Sequence, residues 1–256
     1  MSSPIPPATT LPQWLRQRAR QWPDAPALVD GLCGGRYSHA ALDHLVGRCA
    51  AGLAALGFGP GDVLLMVAAN APEWPIAALA ALAAGGAVSG ADPALDSDEL
   101  RLQLRALRAR HAFTTPALLA QVRSAAAGAG GVQLIVLGEA EGTVSFTTLL
   151  ACADAEPRPQ TGLRSLAMCG AGPGARLSHG ALLRRILEIE RALPLHVGEV
   201  TLSLQPMGQV ASFLQGTLAP LSQGAAVVTL PSFEPALVAQ AQARHRVTRL
   251  LLASPA

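Results

Sequence analysis

The sequence predicts an α/β protein built of parallel-sheet layers joined by crossover helices, and three observations point to it. Short apolar runs of strand length alternate with longer segments whose apolar residues recur at helical spacing. Most of those short runs are apolar throughout rather than every second residue, as strands buried on both faces are. Half of the 256 residues are hydrophobic, which supplies a sizeable core and excludes disorder.

Residues 1–10 are polar and proline-rich, with neither the charged start nor the apolar stretch of a secretory signal, and are expected to form a loose arm. Apolar spacing then predicts helices over Leu11–Trp22 and Ala40–Leu56, the second closed by Gly57 before the turn Gly59-Pro60-Gly61. A strand over Val63–Ala69, a helix over Pro72–Ala84 and a strand over Ala87–Ala91 follow, ending at Asp92 and Pro93. Within this part, Pro75–Ala91 is almost uniformly apolar or small. It is shorter than the roughly 20 apolar residues of a membrane span, and Gly85 and Gly86 interrupt it, so it reads as a buried helix turning into a strand.

Asp96, Asp98 and Glu99 open a helix over Ser97–Arg108, where carboxylates cap the chain and meet the helix dipole. A strand over His111–Thr115, a helix over Pro116–Ala127 and a strand over Val132–Leu137 complete a first α/β subdomain, residues 11–153. Residues 154–162 combine charges with prolines and read as a linker. The alternation resumes in an incomplete second subdomain, residues 163–256, with strands over Ser165–Cys169, Val200–Gln205, Ala225–Leu230 and Val247–Ala253. Helices are expected over His179–Ala192, Gln209–Leu221 and Glu234–His245. The last strand is expected to leave an open sheet edge, which another segment or another chain would have to cover.

Charge and cysteine usage exclude several classes. A net charge of +2 without a basic run offers no surface for nucleic acid. Cys33, Cys49, Cys152 and Cys169 are scattered without C-x-x-C pairing, which argues against a disulfide framework and a zinc site and favours the reducing cytoplasm. The histidines have no ligand-like spacing, so neither a metal site nor a catalytic residue is assigned. Every basic residue is arginine and Asn70 is the one asparagine. A GC-rich genome accounts for that bias, yet chemistry requiring lysine is impossible here.

One glycine-rich turn joins a strand to a helix: Cys169, Gly170, Ala171, Gly172, Pro173, Gly174, then Leu177, Ser178 and His179. Such a turn can aim backbone N–H groups at a phosphate, although most are turns and nothing more, with Ser178 an ordinary N-cap. Around it the residues begin to look like a family. Leu56-Gly57-Phe58-Gly59-Pro60-Gly61-Asp62-Val63, Asn70-Ala71-Pro72-Glu73-Trp74, Ala81–Gly85 and Ala91-Asp92-Pro93 resemble, in order and spacing, the first subdomain of AMP-forming acyl-CoA synthetases and related acyl-adenylating enzymes. Leu177-Ser178-His179 is similar to the end of that family's phosphate loop, and the resemblance runs from about Leu11 to Pro255.

The resemblance implies a truncated version of the family's large N-terminal domain. The family's loop reads S-G-T-T-G-x-P-K-G, its hydroxyls and lysine holding the ATP phosphates. Counted back from His179, it falls on Leu166–Gly174, with Met168 and Cys169 at the threonines, Gly172 at the proline and Pro173 at the lysine. Gly170 and Gly174 alone agree, and no shift of frame restores the hydroxyls. Arg176 lies past the turn, where the family has an apolar residue, and is a poor replacement for the lysine. Where the family has P-x-x-H-x-x-G lining its acyl pocket, the residues are Pro206, Met207, Gly208 and Gln209, with Gln209 at the histidine. By this resemblance the family's remaining adenine, ribose and magnesium-binding residues and its mobile C-terminal domain are expected to have no counterpart in these 256 residues.

By this resemblance the degenerate phosphate site comprises Cys169, Gly170, Gly172, Gly174, Arg176 and Ser178, and the substrate pocket Met207, Gly208 and Gln209. The first expectation is a pseudoenzyme or protein-interaction module, binding no cofactor alone and partnered by a second copy or a complementing chain. The alternative is one half of a split ligase that, with ATP and Mg, activates a carboxylic acid for transfer to CoA or a carrier protein. A truncated gene product without function is the third.

Overall fold

The computed structural model describes residues 9–153, 166–169 and 176–251. Helix α1 (Leu11–Ala19) leads to a hairpin of β1 (Pro26–Asp30) and β2 (Arg36–Ser38), then α2 (His39–Ala55), β3 (Val63–Val67), α3 (Glu73–Ala83) and β4 (Ala87–Gly90). Next come α4 (Ser97–Leu107), β5 (His111–Thr114), α5 (Leu119–Ala127), β6 (Gln133–Val136), β7 (Val144–Ser145) and α6 (Phe146–Leu150). A second hairpin, β8 (Leu166–Cys169) and β9 (Arg176–Ser178), precedes α7 (His179–Ala192) and β10 (Val200–Ser203). Helices α8 (Val210–Phe213) and α9 (Ala219–Ser222), β11 (Ala226–Thr229), α10 (Pro235–His245) and β12 (Arg249–Leu251) follow.

The strands form two sheets, a seven-stranded one ordered β7-β6-β5-β3-β4-β8-β9 and a five-stranded one ordered β12-β10-β11-β1-β2. All neighbours are parallel except within the two hairpins. Three clusters of buried residues show five layers. One face of the seven-stranded sheet (Val63, Leu65, Val67, Ala112) packs on α4 and α5. One face of the five-stranded sheet (Val29, Leu202, Val228) packs on α10. The inner faces, with Leu64, Met66 and Val88 on one side and Leu28 and Val227 on the other, share a core with α1, α2, α3 and α7. That double coverage is why the strand runs carry no polar alternation. Helix α3, buried at every position from Trp74 to Ala83, lies in this shared layer, and the apolar stretch read as helix turning into strand is α3 followed by β4.

The chain is threaded so that the sheets do not divide it at residues 154–162. The hairpin β1–β2, early in the chain, joins the sheet of β10, β11 and β12, while β8–β9, after the predicted linker, joins the sheet of β3, β4 and β5. Two similar units thus exchange their leading hairpins. Both hairpins have the same register, with Pro26↔Ser38 and Leu166↔Ser178 at the base and an irregularity in the next step. Both feed a helix through the same residues, Arg36-Tyr37-Ser38-His39 and Arg176-Leu177-Ser178-His179. Both serines cap, Ser38 Oγ accepting from the Ala41 N–H at 3.1 Å and Ser178 Oγ from the Ala181 N–H at 3.3 Å. The helix after the fourth strand of each unit, α4 and α10, ends in a left-handed arginine, Arg108 and Arg246. The predicted linker itself lies outside the described residues, as do residues 1–8 of the predicted arm; Thr10 is buried and caps α1.

Other expectations are adjusted by local chemistry. Asp96 caps α4 in a capping box with Glu99, as expected. The helix predicted over Gln209–Leu221 opens into a π-turn at Leu214–Leu218. Pro220 has no N–H to close an α-helical bond, and Gly216 packs against Ser203, where a Cβ would lie 2.3 Å from Oγ. Strands β1, β2, β7 and β9 and helix α6 were not predicted, being two to five residues long. On its outer side β12 has no neighbour among the described residues. No helix among them is long and apolar enough to cross a membrane.

Candidate functional site

Four parallel strands end on one side of the molecule, β3 and β4 in one sheet and β10 and β11 in the other. The loops beyond their carboxyl ends enclose a cavity of about 550 Å³. Ala68, Ala69 and Asn70 follow β3, Gly90 to Leu95 end and follow β4, Pro206 and Gly208 to Val210 follow β10, and Pro231 and Phe233 follow β11. Crevices beyond the carboxyl ends of parallel strands are the ligand sites of open α/β sheets, because the loops there diverge while the strands stay fixed. The walls are mostly Ala, Pro, Leu, Val and Phe. Gln103, Gln209, Asn70 and the rim carboxylate Asp92 are the polar groups, and no cation lines the cavity among the described residues.

Two close contacts between the sheets shape the floor. Asn70 Nδ2 donates to the Gln205 carbonyl at 2.9 Å, and its Oδ1 accepts from the Met207 N–H at 2.8 Å. Gly90 meets Gly208 backbone to backbone, so that a Cβ on Gly90 would lie 2.1 Å from the Gly208 carbonyl oxygen. Of the predicted pocket residues, Gly208 and Gln209 line the cavity. Met207 does not: its side chain is in the shared core, and only its N–H faces Asn70. Gln209 precedes α8, and its Oε1 accepts from Ser212 Oγ at 3.4 Å. Sequence reasoning matched Asn70 to the family but gave it no place in the site, and missed Gly90, Gln103 and Phe233. The singular asparagine was the available signal.

The predicted phosphate site falls partly outside the described residues, since Gly170, Gly172 and Gly174 are among those not described. Its flanks are strand: Cys169 and Arg176 face each other across the hairpin β8–β9. The Cys169 thiol is buried, which pushes its pKa up against the opposing pull of Arg176, and it is therefore neutral at physiological pH. Ser178 Oγ is committed to the cap of α7. Arg176 is exposed and shares with Arg108 and Asp62 the lining of a second cavity, about 690 Å³, beside α4. Asp62 is already paired with Arg110 at 2.8 Å. The described residues therefore fit a magnesium-bound triphosphate poorly: two exposed guanidiniums, Arg108 and Arg176, line this cavity, and Asp62, the one carboxylate among its lining residues, is already paired. No group of three or more potential metal ligands occurs among the described residues.

The histidines stand apart from both cavities. His39 and His179, the first residues of α2 and α7, are buried, and burial lowers the pKa of each to about 4. His111 packs edge-on against Phe58, and His245 bonds the Gly31 carbonyl at 3.1 Å. His39, His111 and His245 are thus buried, like His179. All four cysteines are free.

Residues 15–168 match the model of the family described as AMP-binding enzyme. 4-Coumarate–CoA ligase 3 of Oryza sativa subsp. japonica is 28% identical over 250 residues, covering 93% of this chain and 45% of that protein. 4-Coumarate–CoA ligase 5 of the same organism is 29% identical over 266 residues, covering 98% of this chain and 48% of that protein. The chain thus spans about half the length of these relatives. A benzoate CoA ligase from Burkholderia xenovorans LB400 superposes with a TM-score of 0.86 at 24% identity, over 94% of this chain and 50% of that one, which establishes the fold.

Proposed function

The chain belongs to the AMP-binding enzyme family, and from that premise we propose that it is a member that does not adenylate on its own and acts by binding, as a pseudoenzyme or protein-interaction module. One observation carries this reading. In a chain without lysine, Leu166–Gly174 holds no hydroxyl and no cation. Adenylation stabilises charge that develops on a triphosphate, and donors fixed around the phosphates supply that stabilisation. Of the loop's flanks, Ser178 Oγ accepts the cap bond of α7, the Cys169 thiol is neutral, and the one cation, Arg176, is exposed and lies past the turn. The partner in this reading is a second copy or another protein, in the cytoplasm, where the free cysteines stay reduced. Calorimetric titration with ATP and magnesium tests it: no heat of binding is expected, and micromolar affinity sinks the proposal.

A second reading has the preserved cavity in its favour. Its mostly apolar walls suit the organic part of a carboxylic acid, and the relatives are named for 4-coumarate. The chain would then be one half of a split ligase that, with ATP and magnesium, delivers an acid to CoA or a carrier protein. Reconstitution with a complementing chain should release pyrophosphate with some member of a panel of aromatic acids, and silence across the panel removes this reading. The loop weighs against it, because a second chain does not alter Leu166–Gly174.

A further inference from the structure

Taking the cavity to hold the organic part of an acid, we propose that Asn70 is its positioning residue: the Asn70 carboxamide fixes the wall Pro206–Gln209 and thereby the cavity's affinity for its ligand. The two bonds of Asn70 go to residues flanking a proline, the Gln205 carbonyl at 2.9 Å and the Met207 N–H at 2.8 Å. In a parallel ladder one strand residue does the same, donating to the carbonyl before its neighbour and accepting from the N–H after it. The side-chain amide of Asn70 therefore stands in for a strand residue opposite Pro206. It joins the extension of β3 to the extension of β10, and so one sheet to the other, at the point where the cavity wall begins. Asn70 is itself buried, which makes the exchange of these bonds for water unfavourable.

The geometry demands an amide. An aspartate can accept from Met207 but, when ionised, sets a negative oxygen against the Gln205 carbonyl. Once protonated it regains the donor, and burial beside a carbonyl raises its pKa so that this happens at mildly acidic pH. A glutamine carries the amide one methylene too far. A general stabilising role predicts neither this pH dependence nor a local effect.

The test uses the whole chain, the variants Asn70→Ala and Asn70→Asp, and 4-coumarate as the probe. In Asn70→Ala the Met207 amide should exchange hydrogen ~10- to 100-fold faster, while amides of β3, β4 and β10 keep their protection. Probe affinity should fall by ~10-fold or more. In Asn70→Asp affinity should be weak at about pH 8 and return towards the parent's at about pH 6. If Asn70→Ala does not fold, the pH response of Asn70→Asp carries the test. Unchanged exchange at Met207, faster exchange spread evenly over all strands, or binding by Asn70→Asp that ignores pH overturns the proposal. If the parent chain itself fails to bind 4-coumarate while Met207 is released in Asn70→Ala, the reading of the cavity as an acid site fails and the positioning of the wall stands.

Discussion

Lowering the pH from about 7 to about 5 should cost this protein several kcal/mol of stability through two histidines. His39 and His179 occupy the same place in the two units, at the start of a helix behind a capping serine, and burial holds the pKa of each at about 4. The helix N-terminus, with its positive partial charge, also disfavours an imidazolium. At His179 a third cause is geometric: Nδ1 accepts the Leu11 N–H at 3.2 Å, and a proton on Nδ1 would set donor against donor. The sign follows from the depressed value. The unfolded chain binds protons below about pH 6.5 and the folded chain only near pH 4, so the contribution is intact above pH 6.5 and declines between the two values. From a shift of that size each histidine loses about 2 kcal/mol on going to about pH 5, roughly 4 kcal/mol for the pair if they add, against a typical total of about 5–15 kcal/mol. Urea unfolding at about pH 7, 6 and 5 measures it, with the double variant His39→Gln, His179→Gln as control. The parent should lose stability steeply and the double variant much less. Equal slopes for the two proteins would refute the reasoning. Because Leu11 opens α1, the first change on acidification should be release of that helix, visible as faster exchange of its amides.

Other substitutions test packing and capping. Gly52→Ala places a Cβ 2.7 Å from Leu149 Cα, where α2 meets α6, and should destabilise by about 1–3 kcal/mol in urea unfolding. Gly90→Ala should cost a similar ~1–3 kcal/mol and also weaken probe binding, since it displaces the Gly208 peptide from the cavity floor. Asp96→Ala removes both capping bonds, to the Asp98 and Glu99 N–H groups, and should cost about 1 kcal/mol with no effect on the cavity.

What was legible in the sequence depended on length and periodicity. Runs such as Val63–Val67 and Ala226–Thr229 are apolar enough to be recognised alone, and α2, α4 and α7 have the spacing and caps that mark a helix. The hairpin β1–β2 was not legible, because its strands are five and three residues long and begin at a proline and an arginine. They are strands only because β11 lies beside β1. The exchange of hairpins was invisible for the same reason: local pattern says that a strand exists, not which sheet receives it. The repeated Arg-x-Ser-His of residues 36–39 and 176–179 was the available signal of two similar units, and it was missed. In the site, Gly208 and Gln209 were found through family resemblance, whereas Gly90 and the role of Asn70 depend on an approach between sheets that no spacing along the chain encodes.

The threading also bears on how phosphate chemistry can be lost while a ligand cavity persists. Hairpin β8–β9 sits at the edge side of β4 and leans on that sheet through the pairs Val88↔Met168 and Ser89↔Cys169. The cavity is held by the bonds of Asn70, after β3, to the segment after β10, and by the contact of Gly90 with Gly208. In the proposed reading, phosphate donors are missing from Leu166–Gly174 while the bonds of Asn70 and the contact of Gly90 with Gly208 are kept. A sequence free to drift at one need not drift at the other. The separation has a measurable consequence. Arg176→Ala, on the exposed side of the hairpin, should leave 4-coumarate affinity within about two-fold of the parent, as expected of a surface change with no shared partner. A loss of ~10-fold or more in Arg176→Ala would mean that the hairpin and the cavity are one site, and the case for a binding protein stripped of its phosphate chemistry would have to be abandoned.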